Sequence, residues 1–285
     1  MSIEGSITAL VTPMNEKGDL DYNSLEKLIN FQIDSGISGL VAVGTTGESA
    51  TIDFEDHIKL IEFFIKISNG RVHIIAGTGA NSTEEALHLT REAKSLGADA
   101  ALLVSPYYNK PPQEGIYRHH AKIADEVDIP QILYNVPSRT ASFIEPETVQ
   151  RLSSHQNIMG IKDATGDMKN LSEVLKLCEE NIKSKNFFLY SGDDFSFLEF
   201  LKKGGHGTIS VTSNVVPEII SEICLLVQSD FPKAKQLDDQ LKNLNQSLFC
   251  ESNPIPVKWA LHQMGLIKNG IRSVSYTHLT LPTIA

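Results

Sequence analysis

The sequence predicts an α/β fold, a (β/α)8 or TIM barrel with a helical extension at its C-terminal end. Three observations lead to this prediction. Eight short apolar runs recur along the chain, and amphipathic stretches separate them. The runs start roughly 20 to 35 residues apart, as expected for strands joined by helical crossovers in a parallel sheet. The length of 285 residues is ordinary for one such barrel.

Each apolar run is too short for a helix and is typical of a strand buried on both faces. The predicted strands are Ile7–Val11, Gly39–Val43, Val72–Ala76, Ala100–Val104, Gln131–Tyr134, Ile158–Ile161, Phe187–Tyr190 and Thr208–Val211. Between them, Ser24–Phe31 repeats apolar residues at helical spacing, and Ser82 followed by Glu85 matches a helix-capping pattern. The stripe expected for the sixth helix is Leu171, Val174, Leu175 and Cys178.

An open, doubly wound sheet is the alternative α/β arrangement. Such a sheet usually carries a glycine-rich phosphate-binding sequence after its first strand. Here the first strand is followed by Thr12-Pro13-Met14-Asn15, which contains no glycine. The sequence therefore favours the closed barrel.

After Asn214 the pattern becomes purely helical, and it predicts three helices at Val216–Gln228, Phe231–Phe249 and Pro254–Met264. We expect a catalytic barrel over residues 1–213 and a helical extension over residues 214–272. Residues 273–285 have no helical stripe, which suggests an atypical tail, either truncated or foreign in origin.

Composition restricts the classes of partner. A formal net charge of −10 disfavours sequence-independent binding to nucleic acid, which needs a basic surface. No apolar run approaches the roughly 18 residues of a membrane span, and no signal-peptide pattern opens the chain. Three widely spaced cysteines, Cys178, Cys224 and Cys250, are expected to be buried free thiols. We therefore expect a cytoplasmic protein with neither a membrane nor a nucleic-acid partner.

Active sites of these barrels lie at the C-terminal ends of the strands. Lys162 directly follows the sixth predicted strand and should face the barrel mouth. A buried amine in its neutral form is a nucleophile for carbonyl carbon, since burial disfavours the ammonium ion. An ion pair with Asp163 or a phosphate-binding role would equally explain this position. Tyr134 ends the neighbouring strand, where its phenol is suited to proton transfer or simply to packing.

Two further sites are suited to anions. Thr45 and Thr46, between two glycines, offer backbone N–H groups and hydroxyls to a carboxylate, or serve as polar caps of a turn. Arg139, in a loop after the fifth strand, is suited to clamp a second carboxylate or to form a surface ion pair. Metal ligation is not indicated, because the adjacent rings of His119 and His120 would point to different faces of a helix. Asp193-Asp194 has no histidine or third carboxylate at useful spacing.

Several segments together resemble the dihydrodipicolinate synthase / N-acetylneuraminate lyase family, in order and spacing, over roughly residues 3 to 272. The matching segments are Gly44-Thr45-Thr46-Gly47-Glu48, Gly77-Thr78-Gly79, Ser105-Pro106-Tyr107-Tyr108-Asn109-Lys110-Pro111, Tyr134-Asn135-Val136-Pro137-Ser138-Arg139-Thr140, Gly160-Ile161-Lys162-Asp163 and Ser191-Gly192-Asp193-Asp194.

The resemblance implies a lyase that condenses pyruvate with L-aspartate 4-semialdehyde in lysine biosynthesis through diaminopimelate, without a cofactor. It implies that Lys162 forms a Schiff base with pyruvate and that Tyr134, Thr46 and Tyr108 relay protons. Family members supply the counterpart of Tyr108 across a dimer interface within a homotetramer.

The resemblance also assigns the substrate contacts. It implies that Thr45 and Thr46 hold the pyruvate carboxylate and that Arg139 holds the semialdehyde carboxylate. Gly192 and Ile209 would line the pocket. Sialic-acid lyases of the family lack the Asn-Val-Pro-x-Arg-Thr arrangement, so Arg139 distinguishes the two activities.

Feedback inhibition by L-lysine is a further implication of the resemblance. The matching positions are Ser49, Ala50, His57, Asn81, Glu85 and Tyr107. Phe54 departs from the pattern, since inhibited relatives often have a histidine there, and this affects the expected strength of inhibition.

Two other functions are compatible with the same residues. Another pyruvate-dependent lyase or aldolase, of sugar-acid or N-acetylneuraminate type, would use the same imine at Lys162 with a different aldehyde. A non-catalytic barrel that binds a ligand would leave Lys162 unreactive.

Overall fold

The computed structural model describes residues 3–272, and in it eight parallel strands pair in chain order and close into a barrel. The strands are β1 (Gly5–Ala9), β2 (Gly39–Ala42), β3 (His73–Gly77), β4 (Ala100–Val104), β5 (Gln131–Asn135), β6 (Ile158–Asp163), β7 (Phe188–Ser191) and β8 (Gly207–Ser210). This confirms the predicted fold and all eight strands, whose ends shift by at most two residues.

Twelve helices accompany the strands in the part of the chain described. They are α1 (Tyr22–Asp34), α2 (Phe54–Ser68), α3 (Thr83–Leu96), α4 (Gln113–Glu126), α5 (Pro137–Thr140), α6 (Pro146–Ser153), α7 (Met168–Leu177), α8 (Glu179–Lys183), α9 (Phe197–Lys202), α10 (Pro217–Leu226), α11 (Phe231–Leu248) and α12 (Ile255–Gln263). Short 3-10 turns cover Ser49–Thr51 and Thr212–Asn214.

Local sequence explains where these helices begin. The side chain of Asp21 accepts from the backbone N–H of Ser24 at the start of α1, and Ser82 accepts from Glu85 N–H at the start of α3. Such caps satisfy backbone donors that have no partner inside the helix. The capping pattern predicted from Ser82 and Glu85 is thus confirmed.

Single helices between strands were predicted, and this is wrong at two places. After β5 the segment expected to be a loop forms the helical turn α5, because Pro137 stands at its first position, where its fixed φ suits a helix. After β6, Cys178 leaves helical geometry at φ −104° and ψ 13° and divides α7 from α8.

The interior of the barrel is one apolar cluster contributed by alternate strand residues, including Ile7, Val41, Ile75, Ile132 and Tyr190. The outer faces of the strands pack against the surrounding helices in separate clusters. This two-sided burial explains why the strands are continuous apolar runs.

One irregularity in the sheet determines which way Lys162 points. Between β5 and β6, Gln131 pairs with Ile158 but Ile132 pairs with Gly160, so one extra residue of β6 is accommodated there. The extra residue is Met159, whose side chain belongs to the interior cluster. Strict alternation from Met159 would turn Lys162 outward, whereas the bulge restores it to the interior.

The C-terminal extension begins with α10 and confirms the three predicted helices within two residues at each end. Leu248, Val257 and Leu261 of the extension share a core with Leu10 and Val11, which follow β1. The extension therefore packs directly on the barrel. The tail expected over residues 273–285 lies outside the described residues.

The cysteine prediction is only partly right. All three thiols are free, and Cys178 is buried, but Cys224 is partly exposed and Cys250 is exposed. Cys250 lies in the surface turn between α11 and α12, which explains its exposure. Within residues 3–272, no helix is both long and apolar enough to cross a membrane.

Candidate active site

Lys162 and Tyr134 form the centre of the candidate site. They are paired directly across β6 and β5, and both side chains are buried. Nζ of Lys162 lies 4.3 Å from the centroid of the Tyr134 ring. Strand pairing therefore places an amine beside a phenol at the C-terminal end of the barrel, as the sequence predicted.

Gly192 provides the space that the lysine side chain occupies. A Cβ at position 192 would lie 2.7 Å from Cε of Lys162 and 2.9 Å from Cβ of Ala164. Such distances are too short for carbon atoms, so any larger residue would displace Lys162. Ile209 lies on the neighbouring β8 and belongs to the same interior cluster as Tyr134.

The ion pair between Lys162 and Asp163 that the sequence also allowed is not formed. The Asp163 carboxylate instead accepts from the backbone N–H of Thr165 at 2.8 Å and from Nδ2 of Asn170 at 2.6 Å. Burial raises the pKa of Asp163. No ion pair among residues 3–272 includes Lys162, which leaves its amine available for chemistry.

The Thr45–Thr46 turn follows β2 and presents unused donors. Within the described chain, the backbone N–H groups of Thr45 and Thr46 donate to no protein acceptor. Thr46 is buried, and its Oγ1 accepts from Nδ2 of Asn253 at 2.9 Å. Adjacent free N–H groups are suited to bind a carboxylate.

A buried ion pair fixes this turn to the C-terminal extension. Nζ of Lys258 lies 2.5 Å from Oε1 of Glu48, and the two side chains are 0% and 2% exposed. Lys258 also donates to the carbonyl oxygen of Thr12 at 3.0 Å. Burial lowers the pKa of Lys258 even though Glu48 opposes that effect. Glu48 itself adopts a left-handed backbone conformation, with φ 62°.

Arg139 lies on α5 at the rim of the site. Its side chain is exposed, and Nη2 donates to the backbone carbonyl oxygen of Asn253 at 3.1 Å. The surface ion pair considered for Arg139 is absent among residues 3–272. The guanidinium therefore retains donors that can bind an anion.

A cavity of about 400 Å³ opens beside Thr45 and Arg139. Five of the six positions expected to bind lysine also line it, namely Ser49, Ala50, His57, Glu85 and Tyr107. Asn81 is not part of the lining, although its backbone oxygen accepts from Nδ2 of Asn109 at 2.9 Å.

Electrostatics and packing link some of these residues. Burial, together with the nearby charge of Glu85, raises the pKa of Tyr107. Phe54, also in the lining, packs its ring on His88 with centroids 4.5 Å apart.

Tyr108 is not part of this buried group. It lies after β4, is 88% exposed, and has a positive φ of 72°. A non-glycine residue rarely adopts such a conformation without surrounding constraints. Within one chain, therefore, Tyr108 does not meet Tyr134.

The side chains considered for metal binding have other partners or surroundings. Oδ2 of Asp194 accepts from the backbone N–H groups of Val211 and Thr212 at 2.9 and 3.0 Å. His119 and His120 are buried with ring centroids 5.0 Å apart, and burial lowers the pKa of His119 to about 4. Across residues 3–272, no cluster of His, Cys, Asp and Glu is arranged to hold a metal ion.

Sequence reasoning missed Asn253 and Lys258, which connect the extension to the candidate site. One signal was available, because Lys258 shares a helical face with Leu261 and so stands on the apolar side of α12. Asn253 immediately precedes Pro254, a pair typical of a turn that initiates a helix. Neither signal identifies the partner across more than 200 residues of sequence.

The fold and the site together define a class of protein. It is a (β/α)8 barrel with a buried lysine at the C-terminal ends of its strands, outside every ion pair of residues 3–272, as is typical of Schiff-base aldolases. The family model described as the dihydrodipicolinate synthetase family matches residues 2–278. The chain belongs to this family, which confirms the resemblance.

Similar proteins cover almost the whole chain. A 4-hydroxy-tetrahydrodipicolinate synthase from Pseudomonas aeruginosa is 54% identical over 271 residues, which are 95% of this chain and 91% of that protein. A crystal structure of a chloride-inhibited dihydrodipicolinate synthase from Acinetobacter baumannii, complexed with pyruvate, is 51% identical, with a TM-score of 0.92. The match covers 96% of this chain and 92% of the chain from A. baumannii.

A more distant relative was solved with lysine bound. This dihydrodipicolinate synthase from Cyanidioschyzon merolae is 34% identical, with a TM-score of 0.90, and the two chains cover 96% and 93% of each other.

Proposed function

We propose that this chain is a 4-hydroxy-tetrahydrodipicolinate synthase, a lyase that condenses pyruvate with L-aspartate 4-semialdehyde in lysine biosynthesis through diaminopimelate. The buried amine of Lys162, free of any ion pair within residues 3–272 and paired across the sheet with Tyr134, carries this proposal. The relatives that match 95% of this chain are 4-hydroxy-tetrahydrodipicolinate synthases, which favours this activity over that of other barrel aldolases.

The reaction begins when Nζ of Lys162 adds to the pyruvate carbonyl carbon, and loss of water gives an imine. A methyl proton then leaves and the C–H electrons form an enamine, for which the protonated imine nitrogen is the electron sink. The enamine carbon bonds to the aldehyde carbon of the semialdehyde, whose oxygen takes up a proton. The substrate amine finally attacks the imine carbon, closes the ring and expels Lys162.

Each of these steps moves a proton at the reacting atoms, so groups that transfer protons are required. Tyr134 is adjacent to the Lys162 amine, and Thr46 provides a second, buried hydroxyl. We assign these two residues and Tyr108 to a proton relay.

The two acid substrates need two anion sites. The free backbone N–H groups of Thr45 and Thr46 are suited to the pyruvate carboxylate. The Arg139 guanidinium, at the rim of the same cavity, is suited to the carboxylate of the semialdehyde. Gly192 leaves the space that the Lys162 side chain occupies, and Ile209 packs in the interior cluster beside it.

We further propose that L-lysine binds in the cavity that is lined by Ser49, Ala50, His57, Glu85 and Tyr107. Glu85 is suited to its ammonium groups, and the hydroxyl of Tyr107 to its carboxylate. Binding of lysine by the relative from C. merolae supports this assignment. The aromatic ring of Phe54 adds an apolar wall, so we expect an affinity different from that of a histidine-bearing relative.

We also propose a cytoplasmic homotetramer built from dimers, in which Tyr108 completes the neighbouring site. The exposure of Tyr108 supports this, since an aromatic ring held in solvent gains by packing against a partner. One similar structure is that of a monomeric dihydrodipicolinate synthase variant, and the molar mass of this protein in solution tests the proposed tetramer.

Borohydride trapping tests the proposal. We expect incubation with pyruvate followed by borohydride to give a stable secondary amine at Lys162, mapped by mass spectrometry of peptides. Exposed Lys169, seven residues further on, is the internal control and should remain unmodified. Absence of an adduct at Lys162 would contradict the mechanism and favour a non-catalytic barrel.

A panel of aldehydes separates this activity from that of a sugar-acid or N-acetylneuraminate lyase. We expect consumption of L-aspartate 4-semialdehyde and no turnover of sugar aldehydes. The reverse result, with the same adduct at Lys162, would leave pyruvate chemistry intact and disprove the synthase.

A further inference from the structure

We infer that Asn253, in the turn before α12, is a positioning residue that holds the Thr46 hydroxyl as a proton donor to the active site. The inference rests on the proposed function, because it concerns the proton relay of that reaction. A residue of the helical extension would then contribute to catalysis.

The direction of one hydrogen bond carries the argument. Nδ2 of Asn253 donates to Oγ1 of Thr46 at 2.9 Å. The amide nitrogen has no lone pair to offer, so in this orientation of the amide the hydroxyl does not direct its own proton to Nδ2 of Asn253. Thr46 is buried, and the hydrogen-bond partners of its hydroxyl within residues 3–272 are limited to Asn253, so its proton is available to a substrate bound in the site. The hydrogen bond from Asn253 therefore leaves the Thr46 hydroxyl to donate its proton towards the site.

The same residue also contacts the other side of the site. The backbone oxygen of Asn253 accepts from Nη2 of Arg139 at 3.1 Å. One residue thus holds a hydroxyl assigned to proton transfer and orients a guanidinium assigned to the semialdehyde. A displacement of the turn would disturb both groups together.

Two residues that follow Asn253 in the chain anchor the turn. Lys258, on the first turns of α12, forms the buried ion pair with Glu48, two residues after Thr46. The backbone N–H of Arg272 donates to the other oxygen of Glu48 at 3.3 Å, and its guanidinium donates to the backbone oxygen of Thr51. These contacts hold the Thr45–Glu48 turn and the extension in one arrangement.

The test is to reverse the hydrogen bond without changing its shape. Asn253→Asp replaces the donor with a carboxylate, which only accepts and would therefore draw the Thr46 proton away from the site. We expect kcat to fall about 100-fold, the lower range of general acid–base effects. The KM for pyruvate should change less than about threefold, because Thr45 and the backbone donors are retained.

Two comparisons separate positioning from structural support. Asn253→Ala removes the donor and leaves the hydroxyl free to rotate, so we expect it to lower kcat less than Asn253→Asp does, by about tenfold. A residue that only fills space would give the opposite order. The kcat of Asn253→Asp should also recover as pH falls and the new carboxyl becomes protonated, whereas a packing defect would show no such recovery.

A double-mutant cycle with Thr46→Val tests the route through the hydroxyl. If Asn253 acts through Thr46, Asn253→Asp should lower kcat no further in the Thr46→Val background. Asn243→Asp, on an exposed face of α11, is the matched control for the added charge and should leave kcat unchanged.

The outcomes distinguish this inference from the proposed function. A wild-type enzyme that forms the pyruvate adduct and consumes the semialdehyde supports the function whatever the variants do. Equal losses in Asn253→Asp and Asn253→Ala, or losses that add in the Thr46→Val background, would overturn the positioning role.

Discussion

The candidate site has two parts that are held in place by different means. Lys162 and Tyr134 belong to neighbouring strands and are paired by the register of the barrel. Thr46 and Arg139 belong to connections outside the strands, and both are bound by Asn253 of the C-terminal extension. The nucleophile thus depends on the sheet, and the groups around it depend on a contact between distant segments.

The difference teaches that the nucleophile and the groups that surround it can be disturbed separately. A residue fixed by sheet register moves only if the core rearranges, and cores resist such change. A residue fixed by a few hydrogen bonds to another segment can be displaced while the barrel stays intact. We therefore expect variants of the extension to affect turnover more than adduct formation at Lys162.

Tyr134→Phe should have the largest effect. The ring that packs against Lys162 is retained and only the phenol is lost, so we expect kcat to fall on the order of 10³-fold with little change in stability. Steady-state kinetics and thermal unfolding check this.

Tyr190→Phe is the matched control for that variant. Tyr190 lies in the same interior cluster, but its hydroxyl donates to the backbone oxygen of Ile3 at 2.8 Å. We expect a loss of about 1 kcal/mol in unfolding free energy and an unchanged kcat. A similar drop in kcat for both variants would show that general packing, and not the Tyr134 phenol, controls the rate.

Lys258→Met should have the next largest effect. It removes the ion pair that joins the C-terminal extension to the Thr45–Glu48 turn. It leaves the Glu48 carboxylate buried without its partner, so we expect the unfolding free energy to fall by about 3 kcal/mol, measured by urea denaturation. In the folded fraction, kcat should fall, while saturating pyruvate should still give the borohydride adduct at Lys162, because the amine itself is held by the sheet.

The double variant Lys258→Met with Glu48→Gln is the control, because it removes the unpaired charge. It should recover part of the lost stability without restoring the native orientation of the turn. Equal loss of adduct formation and turnover in Lys258→Met would contradict the separation of the two parts of the site.

The sequence predicted the part of the site that depends on local pattern. Eight apolar runs, their spacing and their ends were enough to place Lys162 and Tyr134 on adjacent strands. The inward direction of Lys162 was predicted correctly although its cause, the extra residue Met159, was not recognised. Alternation alone would have turned the amine outward.

The contacts of the extension could not be predicted in the same way. Asn253 and Thr46 are separated by 207 residues, and Lys258 and Glu48 by 210. Hydrogen bonds between such distant segments depend on how helices dock on the barrel, which periodicity does not encode. For the same reason the extension was predicted as three helices without any role in the site.

Arg139→Ala should have a smaller effect, confined to the aldehyde. Loss of a charge-assisted contact to the semialdehyde carboxylate is expected to raise its KM roughly 10- to 100-fold, with adduct formation by pyruvate unchanged. Arg118→Ala is the control, since the ion pair that Arg118 forms among the described residues is an exposed one with Glu114. Equal losses with both substrates would remove the assignment of Arg139 to the aldehyde site.

Tyr108→Phe should show the smallest effect. A mixing experiment with this variant tests whether Tyr108 acts in its own chain or in the site of a second copy. Tyr108 is exposed in a single chain, so its hydroxyl acts only if a second copy brings it to the site. Refolding a mixture of Tyr108→Phe and Lys162→Ala chains then creates hybrid dimers in which one of two sites holds both native residues. Random pairing should give about a quarter of all sites both native residues, so the mixture should be more active than the mean of the two variants refolded alone. Activity in the mixture equal to the mean of the two separate variants would show that Tyr108 is not shared between copies. The residues held by the strands and by the extension would then form the whole site within one chain.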